Sequence, residues 1–280
     1  MTEHLGWRLS LTFSIWLGLS TVTLAGTPVS QQMTCPVGGE RFIHQTTASY
    51  TTFGQRPDGK PYGSWRFPLA LPECPKSGLV MYRAFTRDER ARLPALLADP
   101  VFVDLRRDQT AYYRAAWLEH ALQPRSSVTA WLLLNASWEA DDDSLRKARY
   151  QDEFVDAVTI LGPDAAPMER FDLQVRAANA LRELGRFDQA AAALKAVPRQ
   201  ALDGDPDRPV WTAFLNGMDR AVARADRSPE PLDLIPARIA AEYCLGDERA
   251  PARNDPWCRD PAMAEPLKQR RDALGGHAAH

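Results

Sequence analysis

The chain has 280 residues, of which 45% are hydrophobic and 25% charged; this excludes a largely disordered chain and leaves room for one or two domains. Its 34 Lys and Arg against 36 Asp and Glu give a net charge of −2, without the basic excess of a dedicated nucleic-acid binder. The 22 Pro and 16 Gly follow no period, so the chain is neither collagen-like nor of low complexity.

The first element is a targeting signal. Arg8 precedes a run from Leu9 to Ala25 that carries no charge, and Thr23-Leu24-Ala25 places small residues ahead of Gly26. This is the layout of a secretory signal peptide over residues 1–25, cut between Ala25 and Gly26. No cysteine follows the run, which argues against lipid attachment at a new N-terminal cysteine. The competing reading is an uncleaved anchor over residues 9–25, at the short limit for a membrane span. Either way the remainder of the chain is expected to work outside the cytoplasm.

Residues 26–85 are rich in turn formers and aromatics. Phe42-Ile-His-Gln-Thr-Thr47 and Gly78-Leu-Val-Met-Tyr82 suit short strands, and Arg56-Pro-Asp-Gly59-Lys60-Pro-Tyr-Gly63 is turn chemistry. Between Glu40 and Phe67, the cations Arg41, Arg56, Lys60 and Arg66 outnumber Glu40 and Asp58 and interleave with Tyr50, Phe53, Tyr62, Trp65 and Phe67. Arg41, Arg56, Lys60, Tyr62, Trp65 and Arg66 therefore form a candidate interaction surface, since Arg and aromatics concentrate at interface hot spots. The same rings suit the core of a small module, and that second use is the favoured one.

The cysteines are Cys35, Cys74, Cys244 and Cys258. Four cysteines allow three pairings, and in an oxidising compartment two disulfides are the simplest state. Proximity favours Cys35–Cys74 and Cys244–Cys258. Their loops would contribute about 4 and about 3 kcal/mol in the chain-entropy picture. Gly38 and Ser77 stand where a pair of zinc knuckles would carry their second ligands, so no metal site is expected.

From about Thr86 the pattern is helical. Helices are predicted over Thr110–Gln123, over Val128–Glu139 with Ser126 or Ser127 as cap, and over Leu145–Leu161. Asp141-Asp-Asp143 breaks the chain between the last two, as caps rather than cation ligands. Phe171, Val175, Ala178, Leu181 and Leu184 share one helix face; Gly185 ends that helix and Asp188 is expected to cap the next. The string Leu184-Gly-Arg-Phe-Asp-Gln-Ala190 resembles the central turn of a tetratricopeptide repeat, with small Ala190 at a close crossing. Further helices are predicted over Pro209–Ala225, Pro236–Leu245 and Pro261–Leu274. The expected fold is mainly α: tetratricopeptide-like hairpins over 86–275, a small N-terminal β-rich disulfide module over 26–85, and a disordered tail over 276–280.

Cys35-Pro-Val-Gly-Gly-Glu-Arg-Phe42, Leu71-Pro-Glu-Cys-Pro-Lys-Ser-Gly78-Leu-Val-Met-Tyr82, Tyr112-Tyr-Arg-Ala-Ala-Trp-Leu118 and the Gly185 turn follow one another in a telling order. The arrangement resembles an uncharacterised bacterial family that joins an N-terminal zinc ribbon, with Cys-Pro-x-Cys knuckles, to tetratricopeptide-like helices. The resemblance covers roughly residues 33–198. It implies that Cys35 and Cys74 are the surviving first cysteines of two knuckles, and that an exported relative has put a disulfide in place of the zinc. It implies no enzymatic role.

Enzyme signatures are absent: the chain has no Gly-x-Ser-x-Gly, His-Glu-x-x-His, Walker or Gly-x-Gly-x-x-Gly motif. Of the five histidines, His4 falls in the signal, His277 and His280 in the tail, and His120 reads as a partly solvated helix residue; His44 alone is near the aromatic loop. No catalytic, cofactor or metal residues are expected. The function the sequence favours is a periplasmic or secreted, non-catalytic interaction or scaffold protein whose helical-repeat surface binds a protein or peptide. A cell-envelope hydrolase with a motif-free site is the alternative. Membrane contact is expected only if the signal is retained, as an inner-membrane anchor over residues 9–25.

Overall fold

A computed structural model describes residues 26–163, 165–246 and 255–276. The expected signal over residues 1–25 lies outside them, as does the expected tail over 276–280 except Gly276, which instead ends the last helix. Among the described residues no helix is long and apolar enough to cross a membrane.

The chain begins with two small antiparallel hairpins. β1 (Thr27–Thr34) pairs with β2 (Arg41–Ser49), and β3 (Thr52–Gln55) pairs with β4 (Pro61–Gly63). The β1–β2 connection is the first cysteine turn: Cys35 N–H donates to Glu40 O at 2.9 Å, with Gly38 and Gly39 at positive φ. The second cysteine turn repeats this closure, Cys74 N–H donating to Leu79 O at 2.9 Å with Gly78 at φ 69°. That turn overrides the strand expected over Gly78–Tyr82. Only an isolated bridge, Glu73 to Val80, forms there, while Leu79 and Val80 are fully buried. β1 gave no strand signal because its Pro, Ser and Gln residues are mostly exposed and do not alternate.

The rest of the described chain is helical, and the protein is mainly α. The helices are α1 (Arg87–Leu97), α2 (Pro100–Asp108), α3 (Ala111–Leu122), α4 (Ser127–Glu139), α5 (Ser144–Thr159), α6 (Pro167–Glu183), α7 (Phe187–Ala196), α8 (Arg208–Ala223), α9 (Ala237–Cys244) and α10 (Ala264–Gly276). Their starts follow local chemistry. Thr86 and Glu89 form a capping box on α1, Ser126 accepts from Val128 N–H at α4, and Asp143 accepts from Arg146 N–H at α5. Gly185 at φ 78° ends α6 in a Schellman turn, with Arg186 N–H donating to Leu181 O at 2.8 Å. The expected Asp188 cap is corrected: α7 starts at Phe187 behind Arg186 with no side-chain cap, and Asp188 sits in its first turn. There its charge meets the partial positive charge of the helix N-terminus.

From α3 to α8 each helix packs against the next. The α3–α6 core contains Leu134, Tyr150, Phe154 and Leu173; the α6–α8 core contains Phe171, Val175, Leu194, Leu215 and Met218. Ala190 is fully buried in the second core, in one cluster with Ala178 and Leu181. Replacing Ala190 with Phe is expected to overpack this crossing and cost about 1–3 kcal/mol; a denaturation midpoint unchanged from wild type would contradict that packing.

The N-terminal hairpins share their cores with the helices. The Cys35–Cys74 disulfide packs in one cluster with Leu79, Leu93, Phe102 and Leu118, so it is roofed by α1–α3. Phe53 and Tyr62, from β3 and β4, pack instead on the C-terminal cluster of Leu232, Ile239, Cys244 and Met263. The β-rich segment is thus a strap reaching from α1 to α9.

Candidate functional site

The six residues expected as an interaction surface differ in burial and in the contacts they make. Arg41 and Arg66 are exposed, and Trp65 is half-buried over Gly26. Tyr62 donates its hydroxyl to Glu230 Oε1 at 2.7 Å. Arg56 is 7% exposed and binds Asp58, with Nε to Oδ1 at 3.1 Å, and Asp141, with Nη1 to Oδ2 at 2.8 Å. Lys60 Nζ reaches the same Asp141 oxygen at 2.6 Å. Arg56 and Lys60 are therefore spent on holding the strap to the helices, while Arg41 and Arg66 stay exposed. The aromatic rings, too, pack on the C-terminal helices as well as on each other, with Phe53 and Tyr62 stacked at 6.4 Å.

Asp141 is the hub of this latch. Besides Arg56 and Lys60 it accepts from Lys147 Nζ at 2.9 Å. Lys147 lies 3.3 Å from Glu183, which accepts from Gln151 and Asn179 at 2.8 Å each. Fully buried Arg182 continues the chain to Asn179 and to the carbonyls of Asp226 and Ser228. Burial alone would raise the Asp141 carboxyl, but the Arg56 hydrogen bond and charge, with Lys147 and Lys60, hold it well below the usual carboxylate range. These bonds join residues 56–60 to α5, α6 and the segment after α8, and each charged group in them has a partner of opposite charge nearby. This is a structural lock.

Cys35, Cys74 and Glu40 form a group of metal-ligating residue types among the described residues. Both sulfurs are in the disulfide, and Glu40 Oε1 accepts from Lys76 N–H at 2.9 Å, so the group does not fit a bound metal in the oxidised chain. All four cysteines are bonded, Cys35 to Cys74 and Cys244 to Cys258, with Cα–Cα distances of 5.7 and 5.5 Å. This pairing fits an oxidising, non-cytoplasmic compartment.

An open groove of about 500 Å³ remains between α3 and α5, floored by α4. Tyr113, Trp117 and His120 line it from α3, Thr129 and Leu133 from α4, and Glu153, Asp156 and Ala157 from α5, with Ile160 just past the end of α5. The spacings explain the grouping. Positions 113, 117 and 120 fall on one face of α3, 129 and 133 on one face of α4, and 153, 156 and 157 on one face of α5. Tyr113 is stacked on Tyr150 at 4.5 Å and donates its hydroxyl to Glu153 Oε1 at 2.8 Å. Burial pushes the Glu153 carboxyl above its ordinary range, against the pull of the Tyr113 hydrogen bond and Arg149. Burial and Glu153 likewise raise the Tyr113 phenol.

Thr129 Oγ1 is buried and has no hydrogen-bond partner among the described residues. A helical threonine ordinarily returns its hydroxyl to the carbonyl four residues back. Here that carbonyl belongs to Arg125, which sits at φ 78° and accepts from Gly162 N–H at 3.2 Å. Ile160, at the rim, is 50% exposed. None of the groove residues was assigned a binding role from the sequence; the signal available was the one-face spacing of aromatics on α3 and acids on α5.

No family model, no curated protein and no solved structure matches the chain.

Proposed function

We propose that this is an exported, non-catalytic interaction protein that holds a segment of a partner protein in the α3–α5 groove. The observation that carries this reading is the groove itself: an open channel on the helical surface with aromatic and apolar lining from Tyr113, Trp117, Leu133, Ala157 and Ile160. Stacked helical hairpins commonly present such concave surfaces to peptides. The disulfides support export, and the Asp141 lock supports a rigid platform that binds without reshaping.

The raised Glu153 carboxyl beside Asp156 and His120 is the one feature on the side of a hydrolase. Yet no hydrogen bond among the described residues joins His120 to either carboxylate, and Glu153 is engaged by Tyr113. A general acid–base pair needs such mutual geometry. Binding is therefore the reading we adopt.

The N-terminal strap is read as a disulfide-closed counterpart of a two-knuckle zinc ribbon, supported by the matching closures of the Cys35–Glu40 and Cys74–Leu79 turns.

Selection of a displayed peptide library on the full chain tests the groove. The expected result is a reproducible consensus whose binding is lost in Ala157→Glu, which narrows the groove and buries a charge. A consensus that binds wild type and Ala157→Glu equally would place the binding surface elsewhere.

A further inference from the structure

The groove's charge and hydrogen-bonding capacity point to one kind of occupant. Two carboxylates, Glu153 and Asp156, line it from α5, and no arginine or lysine does so. Asp156 is exposed and forms no ion pair among the described residues, so its charge is uncompensated. Thr129 and Leu133 close the groove from beneath. Trp117 and Tyr113 supply aromatic surface on the facing wall.

The rim shows how these groups treat a guanidinium. Arg149, outside the groove, lies with Cζ 5.2 Å from the centroids of both Tyr113 and Tyr150, and its Nε is 3.9 Å from Glu153 Oε1. It also donates to Gln109. The aromatic and acidic surfaces that hold Arg149 continue inward to Trp117 and Asp156, and among the described residues no Arg or Lys lines the groove there.

We propose that the groove binds an arginine side chain of the partner segment, with apolar residues on either side of it. This names the occupant of the groove and rests on the binding reading above. An arginine fits better than a lysine for three reasons. Its planar guanidinium stacks on aromatic faces, it is weakly hydrated and so enters a half-dry cleft at less cost, and its forked donors suit the carboxylates that line the α5 wall. The flanking apolar residues cover Leu133, Ala157 and the half-exposed Ile160.

The test is calorimetric titration of the full chain with three capped peptides, Leu-Leu-Arg-Leu-Leu and its citrulline and norleucine counterparts. Citrulline keeps the shape and most donors but removes the charge. The arginine peptide is expected to bind about tenfold tighter than the citrulline peptide. Asp156→Asn, an exposed and conservative change, is expected to bring the two to near parity. Equal binding of arginine and citrulline peptides, both lost in Ala157→Glu, would overturn the arginine assignment and leave the groove reading standing. Absence of binding by all three would overturn the assignment too, and the library selection then judges the groove by itself. An arginine preference unchanged in Asp156→Asn would mean that another surface supplies it, which also overturns the assignment.

Discussion

Replacing Cys35 and Cys74 together by alanine is expected to lower the stability of the oxidised chain by about 4 kcal/mol, the chain-entropy value for a loop of 39 residues. The sulfurs add a packing contribution in the same direction. Cys35 and Cys74 are buried in one cluster with Leu93, Phe102 and Leu118, so the alanines leave a gap beneath α1–α3. Because the strap also contributes Arg56 and Lys60 to the lock on Asp141, loosening it at the cysteines should weaken its attachment farther along. Chemical denaturation of the oxidised proteins reads the difference. The Cys244–Cys258 bridge closes a separation of only 14 residues, and its removal is expected to cost less, about 3 kcal/mol. A Cys35/Cys74 variant as stable as wild type would mean that the strap is dispensable to the helices.

Asp141→Asn is expected to cost about 3 kcal/mol, the low end for breaking a buried pair because the Asp141 side chain is 24% exposed. The loss comes from leaving Arg56, Lys60 and Lys147 gathered round a neutral amide. The same residue sets an acid sensitivity. Its carboxyl is held below its unfolded value, so its stabilisation is complete above about pH 4 and is lost as pH falls toward the folded value. Wild type should therefore lose stability below about pH 4 more steeply than Asp141→Asn. Denaturation midpoints measured for both proteins between neutral and acid pH check this; parallel curves would remove Asp141 from the acid response.

The helical part of the fold was legible because its signals are local. One-face apolar spacing marks α6 and places Phe171, Val175, Ala178 and Leu181 in the core. Ser126, Asp143 and Gly185 act at helix ends as their chemistry predicts. Strand β1 and the Gly78–Tyr82 turn were not legible, since β1 is largely exposed and the turn is set by the disulfide and by burial against α1–α3. The fate of the basic loop was hidden for the same kind of reason. Arg56 and Lys60 meet Asp141 about 80 residues later in the chain, and nothing local distinguishes a cation bound for such a contact from one facing solvent. The groove was concealed by its construction. It draws on three helices, and Tyr113 and Trp117 read as ordinary core aromatics until α5 sets Glu153 and Asp156 opposite them.

A partner that meets the helical groove is separated from one that meets the strap by site-specific photo-crosslinking. Benzoylphenylalanine is placed in the full chain either at Ile160, on the groove rim, or at Arg66, exposed on the strap. Each protein is irradiated with the peptide selected from the library, and the adducts are mapped by mass spectrometry. The predicted result is an adduct at position 160, suppressed by excess unlabelled peptide, with little or none at position 66. An adduct at position 66 with none at 160 would contradict the account and return the binding surface to the aromatic, basic strap.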